Sequence, residues 1–304
     1  MTVLEVHGLT KTFGTKKAVD SLTFSIRRGR CVALLGPNGA GKTTTLNMLA
    51  GLLRPSGGTI RFPGAPPKED LRRRIGYLPQ TPSFFPWMTG AEFLRFAGRL
   101  SGMPKAEAAR GADEWLRRVG LHDARNRRIG GYSGGMKQRL GLAQALLHRP
   151  SLVILDEPVS ALDPVGRREV LELLSGLKEE TTILFSTHVL HDAEEICDDI
   201  LLIQGGAIVM EGALKDIRER HRRPVLTIRE DEPDALRPWA EHWAQREDVK
   251  EAVYEDGKVR LVVESPAAVR DAVLQDIAAH RLPVRSFDMG HTTLEDLFMK
   301  AVGK

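Results

Sequence analysis

The segment that most constrains this chain is Gly36-Pro37-Asn38-Gly39-Ala40-Gly41-Lys42-Thr43, set between the apolar run Cys31 to Leu35 and a helix-like stretch from Thr44 to Leu49. A strand, a glycine-rich turn and a helix start, in that order, let successive backbone amides turn toward one centre. The helix start adds favourable partial charge for an anion. The spacing therefore predicts a phosphate site in which the loop wraps phosphate oxygens and Lys42 bridges the terminal phosphates. The Thr43 hydroxyl takes a Mg²⁺ coordination position, and Thr44 belongs to the same binding run. Such a loop needs a buried sheet behind it. Three further compact apolar runs, Leu152 to Leu155, Ile183 to Ser186 and Ile200 to Ile203, read as strands covered on both faces. The expected class is α/β, with a helical insertion over about 84–149, where Phe93, Leu94 and Phe96, then Trp115, Leu116 and Val119, recur at helical spacing.

The run Leu152 to Leu155 ends in Asp156-Glu157-Pro158. Two adjacent carboxylates at the carboxyl end of a buried strand rarely serve packing. Beside a phosphate loop, Asp156 is expected to hold Mg²⁺ through a water and Glu157 to orient and polarise the attacking water as general base. Between the two motifs lies Tyr132-Ser133-Gly134-Gly135-Met136-Lys137-Gln138-Arg139, a small, flexible start to a helical run through Leu147 and a second helix N-terminus suited to phosphate.

With that peptide the chain resembles the ATP-binding cassette ATPases that drive membrane transporters. The family's elements stand in its order: the loop 36–43, Gln80 in Tyr77-Leu78-Pro79-Gln80, the signature 132–136, Asp156-Glu157, Ser160-Ala161-Leu162-Asp163, and His188 in Ser186-Thr187-His188. The resemblance covers residues 1–215. It implies a P-loop cassette with a mixed sheet core and a helical subdomain. It also implies a head-to-tail dimer with ATP and Mg²⁺ held between the loop of one chain and Ser133, Gly134 and Gly135 of the other. In that arrangement Gln80 contacts Mg²⁺ and water, His188 bonds the γ-phosphate, Asp163 links across the dimer, and Phe13 stacks on adenine. Two positions depart from the common pattern: Phe13 replaces the usual Tyr, keeping the π face, and the signature begins with Tyr132 and carries Met136 at its fifth position. The form YSGGMKQR and the ending Thr293 to Phe298 look like the ATPases of drug, lantibiotic, ion and lipid exporters.

After a charged stretch closing at Pro224, the rhythm changes to strand, helix, strand, turn at Asp256-Gly257, strand, helix, strand. This βαββαβ order predicts a ferredoxin-like α+β domain over 224–304. Its last helix is expected from Thr292-x-x-Glu295 read as a capping box; the domain as a whole shows no converging polar cluster for a regulatory ligand, and its expected role is support for dimerisation.

The longest apolar runs fall far short of the ~20 residues that span a bilayer, and the N-terminus lacks an export signal, so the expected place is the cytoplasm, peripheral to the inner face of the membrane through a separate permease. The aromatic, proline-rich stretch Pro82 to Met88 beside Gln80 is the expected permease contact, with Phe84, Phe85 and Trp87 equally readable as core of the insertion. Cys31 and Cys197 read as buried thiols without a role. The net charge of +4 conceals +13 over residues 1–130 and −9 over 131–304. That basic front gives slight support to a rival, a cassette ATPase acting on nucleic acid, the ribosome or an assembly scaffold. The single cassette without a long coiled coil or tandem duplicate argues against it, and no nucleic acid is expected.

Overall fold

The computed structural model describes residues 1–66, 70–232 and 234–302, and the chain divides into two compact units, Met1–Leu214 and Lys215–Lys304. In the first, β1 (Thr2–Phe13) and β2 (Lys16–Arg27) pair antiparallel, followed by β3 (Cys31–Leu35), α1 (Lys42–Leu49), β4 (Gly57–Arg61) and β5 (Ile75–Leu78). The insertion consists of α2 (Gly90–Leu100), α3 (Lys105–Arg118) and α4 (Gly134–Leu146), after which come β6 (Leu152–Asp156), α5 (Pro164–Gly176), β7 (Thr182–Thr187), α6 (Leu190–Ile196), β8 (Asp199–Gln204) and β9 (Ala207–Ala213).

These strands make two sheets. β2-β1-β4 is antiparallel, and its strands alternate: in β2, Leu22, Phe24 and Ile26 are buried while the residues between them face water. The second sheet runs β5-β6-β7-β3-β8-β9, with the first five strands parallel and β9 antiparallel. Every residue of β3, β6 and β7 is buried, as a parallel sheet covered on both faces requires. Parallel pairing also brings the carboxyl ends of β5, β6, β7 and β3 to one edge, where ligands bind in open α/β sheets.

The second unit runs α7 (Leu214–His221), β10 (Pro224–Glu230), α8 (Arg237–Trp243), β11 (Val249–Glu255), β12 (Lys258–Val263), α9 (Pro266–His280), β13 (Val284–His291) and α10 (Leu294–Val302). Its sheet is wholly antiparallel in the order β11-β12-β10-β13, the ferredoxin-like arrangement. Leu226, Ile228, Val259 and Leu261 form its core with Trp239 and Trp243 of α8 and Val269 and Val273 of α9. The capping box of α10 stands one residue later than the sequence reading: Thr293 and Asp296 exchange the two bonds. Thr292 is occupied elsewhere, donating to the His221 carbonyl and accepting from the Arg223 amide.

One carboxylate fastens α9 to α8. Asp276 Oδ2 accepts from Trp239 Nε1 at 2.7 Å and Trp243 Nε1 at 2.8 Å, and His280 Nδ1 lies 2.9 Å from Oδ1. Burial pushes the Asp276 carboxyl up, but the indole donors of Trp243 and Trp239, with His280 and His242 nearby, bring it below its ordinary value. Asp276→Ala orphans both indole N–H groups and is expected to cost about 2–4 kcal/mol, read by urea unfolding followed by circular dichroism. Because the folded carboxyl is the stronger acid, the wild-type advantage is complete above the unfolded pKa of about 4. It shrinks as pH falls through the lower folded value.

Candidate functional site

The phosphate loop begins where β3 ends. Gly41, at φ +104°, stands where a Cβ would meet the Ala18 carbonyl at 2.5 Å, so only glycine fits this turn into α1. Lys42, the first residue of α1, is buried, and its Nζ donates to the Gly36 carbonyl at 2.7 Å and the Pro37 carbonyl at 3.1 Å. Burial lowers its pKa, while the nearby carboxylates of Glu157 and Asp156 oppose that shift. The ammonium thus faces the two acids that the sequence places more than a hundred residues away. Thr43 and Asn38 are exposed and Thr44 is half-buried at the mouth of the loop.

Asp156 and Glu157 close β6. Asp156 is 1% exposed; its Oδ1 accepts from Ser186 Oγ at 2.5 Å, and its Oδ2 is buried without a hydrogen-bond partner. The Ser186 oxygen also accepts the Glu157 amide at 3.0 Å. One hydroxyl at the end of β7 therefore holds both acidic residues, a role that the sequence does not announce. Glu157 itself stands at φ +49°, in the left-handed region, which costs a non-glycine residue about 1–2 kcal/mol and marks a position held for function. Its Oε1 lies 2.9 Å from His188 Nδ1; an ionised carboxylate only accepts, so the imidazole proton sits on Nδ1 and leaves Nε2 turned to other partners.

Gln80 is exposed just beyond β5. The parallel register pairs Leu78 with Leu155, so Gln80 and Glu157 each stand two residues beyond the pair. Tyr77 anchors this strand to α1 through its hydroxyl, which donates to Asn47 Oδ1 at 2.7 Å; burial, aided by Asp156, pushes its pKa up to about 12. Phe13 ends β1, half exposed, with Lys11 Nζ 5.1 Å from its ring centre.

The signature is built separately. Ser133 caps α4 by accepting the Met136 amide at 3.2 Å. Its neighbour Tyr132 is buried, and its hydroxyl donates to the Ala124 carbonyl at 2.7 Å, which explains an aromatic at a position that is usually aliphatic. Ser133 and Gly135 open on a cavity of about 520 Å³ shared with Leu162 and Asp163. Asp163 caps α5, accepting the Gly166 amide at 2.9 Å. The phosphate-loop side of the site packs on β2 and β8, whereas the signature packs on the turn before α5. The aromatic stretch divides: Phe84 turns inward onto buried Phe93, while Phe85 and Trp87 face outward with Phe96, their rings 5.2 Å and 6.0 Å from Phe85. Phe96 joins that surface although its helical spacing reads as core.

Comparison with known proteins agrees with this geometry. Residues 19–160 match the ABC transporter family, and residues 212–302 match the C-terminal domain of DrrA1-3-like ATP-binding proteins. The chain is 46% identical over 301 residues to the ABC transporter ATP-binding protein YxlF of Bacillus subtilis, covering 99% of each. It is 34% identical over 308 residues to the bacitracin transport ATP-binding protein BcrA of Bacillus licheniformis, covering 99% of this chain and 98% of that one. It also superposes with a TM-score of 0.64, at 26% identity, on the ADP- and Pi-bound dimer of the ATP-binding cassette MJ0796, covering 69% of this chain and 98% of that one. The chain belongs to the ATP-binding proteins of ABC transporters. It is an ATPase of that family, and the fold is the family's cassette followed by a ferredoxin-like domain.

Ser186→Ala removes the hydroxyl that holds Asp156 and the Glu157 amide together. Turnover is expected to fall about 10- to 100-fold, the usual cost of losing an outer-shell partner, with ATP affinity changed little, as measured by steady-state hydrolysis and equilibrium nucleotide binding.

Proposed function

We propose that this chain powers a separate transmembrane permease by binding and hydrolysing Mg-ATP at two sites shared between two copies arranged head to tail. The observation that supports this most is the separation of the two half-sites: Lys42, Asp156, Glu157 and His188 converge on one sheet edge, while Ser133 and Gly135 open elsewhere, on their own cavity. A signature that opens on a cavity lined by none of the phosphate-loop residues finds its use in a second copy.

In this reading the amides of Gly36 to Gly41 cradle the β-phosphate, Lys42 bridges the β- and γ-phosphates, and Phe13 stacks on adenine. Among the described residues no cluster of three metal-ligating side chains occurs. A Mg²⁺ ion bound chiefly by phosphates needs only one carboxylate and a hydroxyl. The buried, partnerless Asp156 Oδ2 fits that demand, and the Thr43 hydroxyl and Gln80 are assigned to the same ion. When bound, the ion neutralises charge developing on the transferred phosphoryl group. Glu157 then orients the attacking water and takes its proton; His188 fixes the Glu157 carboxylate through Nδ1 and offers Nε2 to the γ-phosphate. Ser133, Gly134 and Gly135 of the second copy close over that phosphate, and Asp163 contributes at the same seam.

Among the described residues no helix is long and apolar enough to cross a membrane; in this reading the permease is a separate chain and this one works at its cytoplasmic face. The outward cluster of Phe85, Trp87 and Phe96, next to Gln80, is an apolar surface of the kind a docking helix covers. Export is favoured over import by the signature form Tyr-Ser-Gly-Gly-Met and the DrrA-like second unit.

Glu157→Gln preserves size and most hydrogen bonding but removes the base. Hydrolysis is expected to slow about 10²- to 10⁴-fold while binding persists, so the variant should become an ATP-dependent dimer by light scattering. Normal turnover would remove Glu157 from the mechanism. Separately, Phe85→Ala with Trp87→Ala should leave basal hydrolysis and thermal stability unchanged yet reduce co-purification with the permease; a loss of folding would return these rings to the core.

A further inference from the structure

The helix that carries the signature is held against the rest of the first unit in two different ways along its length. At its carboxyl half, contact is close and fixed. A Cβ on Gly76 of β5 would lie 1.9 Å from the Ala145 carbonyl, and one on Gly141 would lie 2.6 Å from Leu78 Cδ1, so α4 and β5 touch almost backbone to backbone. In its middle, at Arg139 and Leu142, α4 faces α5 across a cleft. That cleft forms a cavity of about 570 Å³ bordered by Arg117, Arg118, Arg139, Glu169 and Glu172. At the amino end of α4, which carries Ser133 to Gly135, a Cβ on Gly135 would lie 3.1 Å from Leu162 Cδ2, so the helix is in contact at both ends and meets α5 across the cavity in its middle.

One side chain spans the gap. Arg139, in the second turn of α4, reaches Glu169 of α5 with Nη2 2.5 Å from Oε2. Its guanidinium passes between two glycines: a Cβ on Gly120, just after α3, would meet Nη1 at 3.2 Å, and one on Gly166, in the first turn of α5, would meet Nη2 at 3.1 Å. The same Arg139 borders the second cavity, beside Ser133, Gly135 and Asp163, and with Gly120 lines both. A second ion pair, Arg118 to Glu180 at 2.5 Å, crosses from α3 to the segment after α5. The first turn of α5 is capped by Asp163 and follows directly on the turn that leaves Glu157.

We infer that Arg139 is a positioning residue: through Glu169 it sets the angle of the signature helix against α5, and so couples the half-site offered to a second copy to the strand end bearing this chain's own general base. This rests on the proposed sandwich for its functional meaning, although the orientation it sets is a property of one chain. Arg139 touches no nucleotide in this assignment. The guanidinium suits the task because its planar fork reaches Glu169 while lying flat between the two glycine backbones, a fit an ammonium lacks.

The test uses the full chain with spin labels at Leu100→Cys and Arg168→Cys, exposed positions on α2 and α5; Cys31 and Cys197 are buried and lie outside reach. Electron–electron distance measurements in the nucleotide-free chain should give a narrow distribution that broadens in Arg139→Gln and in Glu169→Gln. It should narrow again in the exchanged pair Arg139→Glu with Glu169→Arg. In the Glu157→Gln background the single variants should need roughly 3- to 30-fold more ATP to dimerise, a size typical of coupling residues remote from ligand, with nucleotide binding to the monomer unchanged and the exchanged pair restored. A distance distribution unmoved by Arg139→Gln overturns the inference whatever the dimer does. A Glu157→Gln parent that stays monomeric overturns the sandwich instead and leaves the distance measurement to decide on Arg139.

Discussion

Everything at the nucleotide edge depends on the parallel pairing of β6, β7 and β3. The three strands are buried along their whole lengths, so their polar termini can emerge only at the ends, and pairing in one direction sends all of those ends to one place. The phosphate loop leaves β3, the acidic pair leaves β6, and Ser186 and His188 leave β7, the strand between them. The hydroxyl of Ser186 shows how close the consequence is: it donates to one acid and accepts the backbone amide of the next. A positive lysine, two carboxylates and a histidine are thereby fixed relative to one another before any ligand arrives. That pre-organisation is what electrostatic catalysis of phosphoryl transfer requires.

The second requirement is incompleteness. The signature is attached to the insertion, and the insertion meets the sheet almost backbone to backbone at β5 and meets α5 through the Arg139–Glu169 ion pair. In the proposed sandwich, a site finished by another copy's signature lets nucleotide occupancy set the association of two chains, and the Arg139–Glu169 contact carries that association to α5. The outward aromatic cluster lies on the same insertion, so movement there reaches whatever covers Phe85 and Trp87.

The sequence made the functional edge legible because its motifs are short, local and chemically demanding: a loop that only glycine can turn, and adjacent acids after a fully apolar strand. The parallel strands β3, β6, β7 and β8 are equally plain, being continuous apolar runs, whereas β5 is not, having four residues of which two are Gly76 and Tyr77. The antiparallel strands β1, β2, β4 and β9 do not stand out in the sequence, since their incomplete burial leaves polar or small residues among the apolar ones and register shifts break the pattern. Ser186 carried no signal of its own; its role exists only because β7 lies between β6 and β3. The aromatic run could not be divided by spacing, since Phe84 and Phe85 are neighbours in an irregular turn, and only the fold sends one ring inward and the other out. In the second unit the βαββαβ order was visible in full, yet the cap of α10 slipped by one residue because two adjacent threonines precede two adjacent acids, and the His221 carbonyl claims the first threonine.

The central claim is that each nucleotide site is built by two chains, and a mixing experiment addresses it most directly. Lys42→Ala damages only the phosphate-loop half and Gly135→Asp only the signature half, so each variant alone should be inactive. In a mixed pair one site combines both defects and the other is whole. Combining the two proteins in equal amounts should therefore restore about one quarter of wild-type hydrolysis if pairs form at random and sites act independently. A mixture as inactive as either variant by itself, with mixed pairs shown to form, would place both halves of the site in one chain and contradict the account.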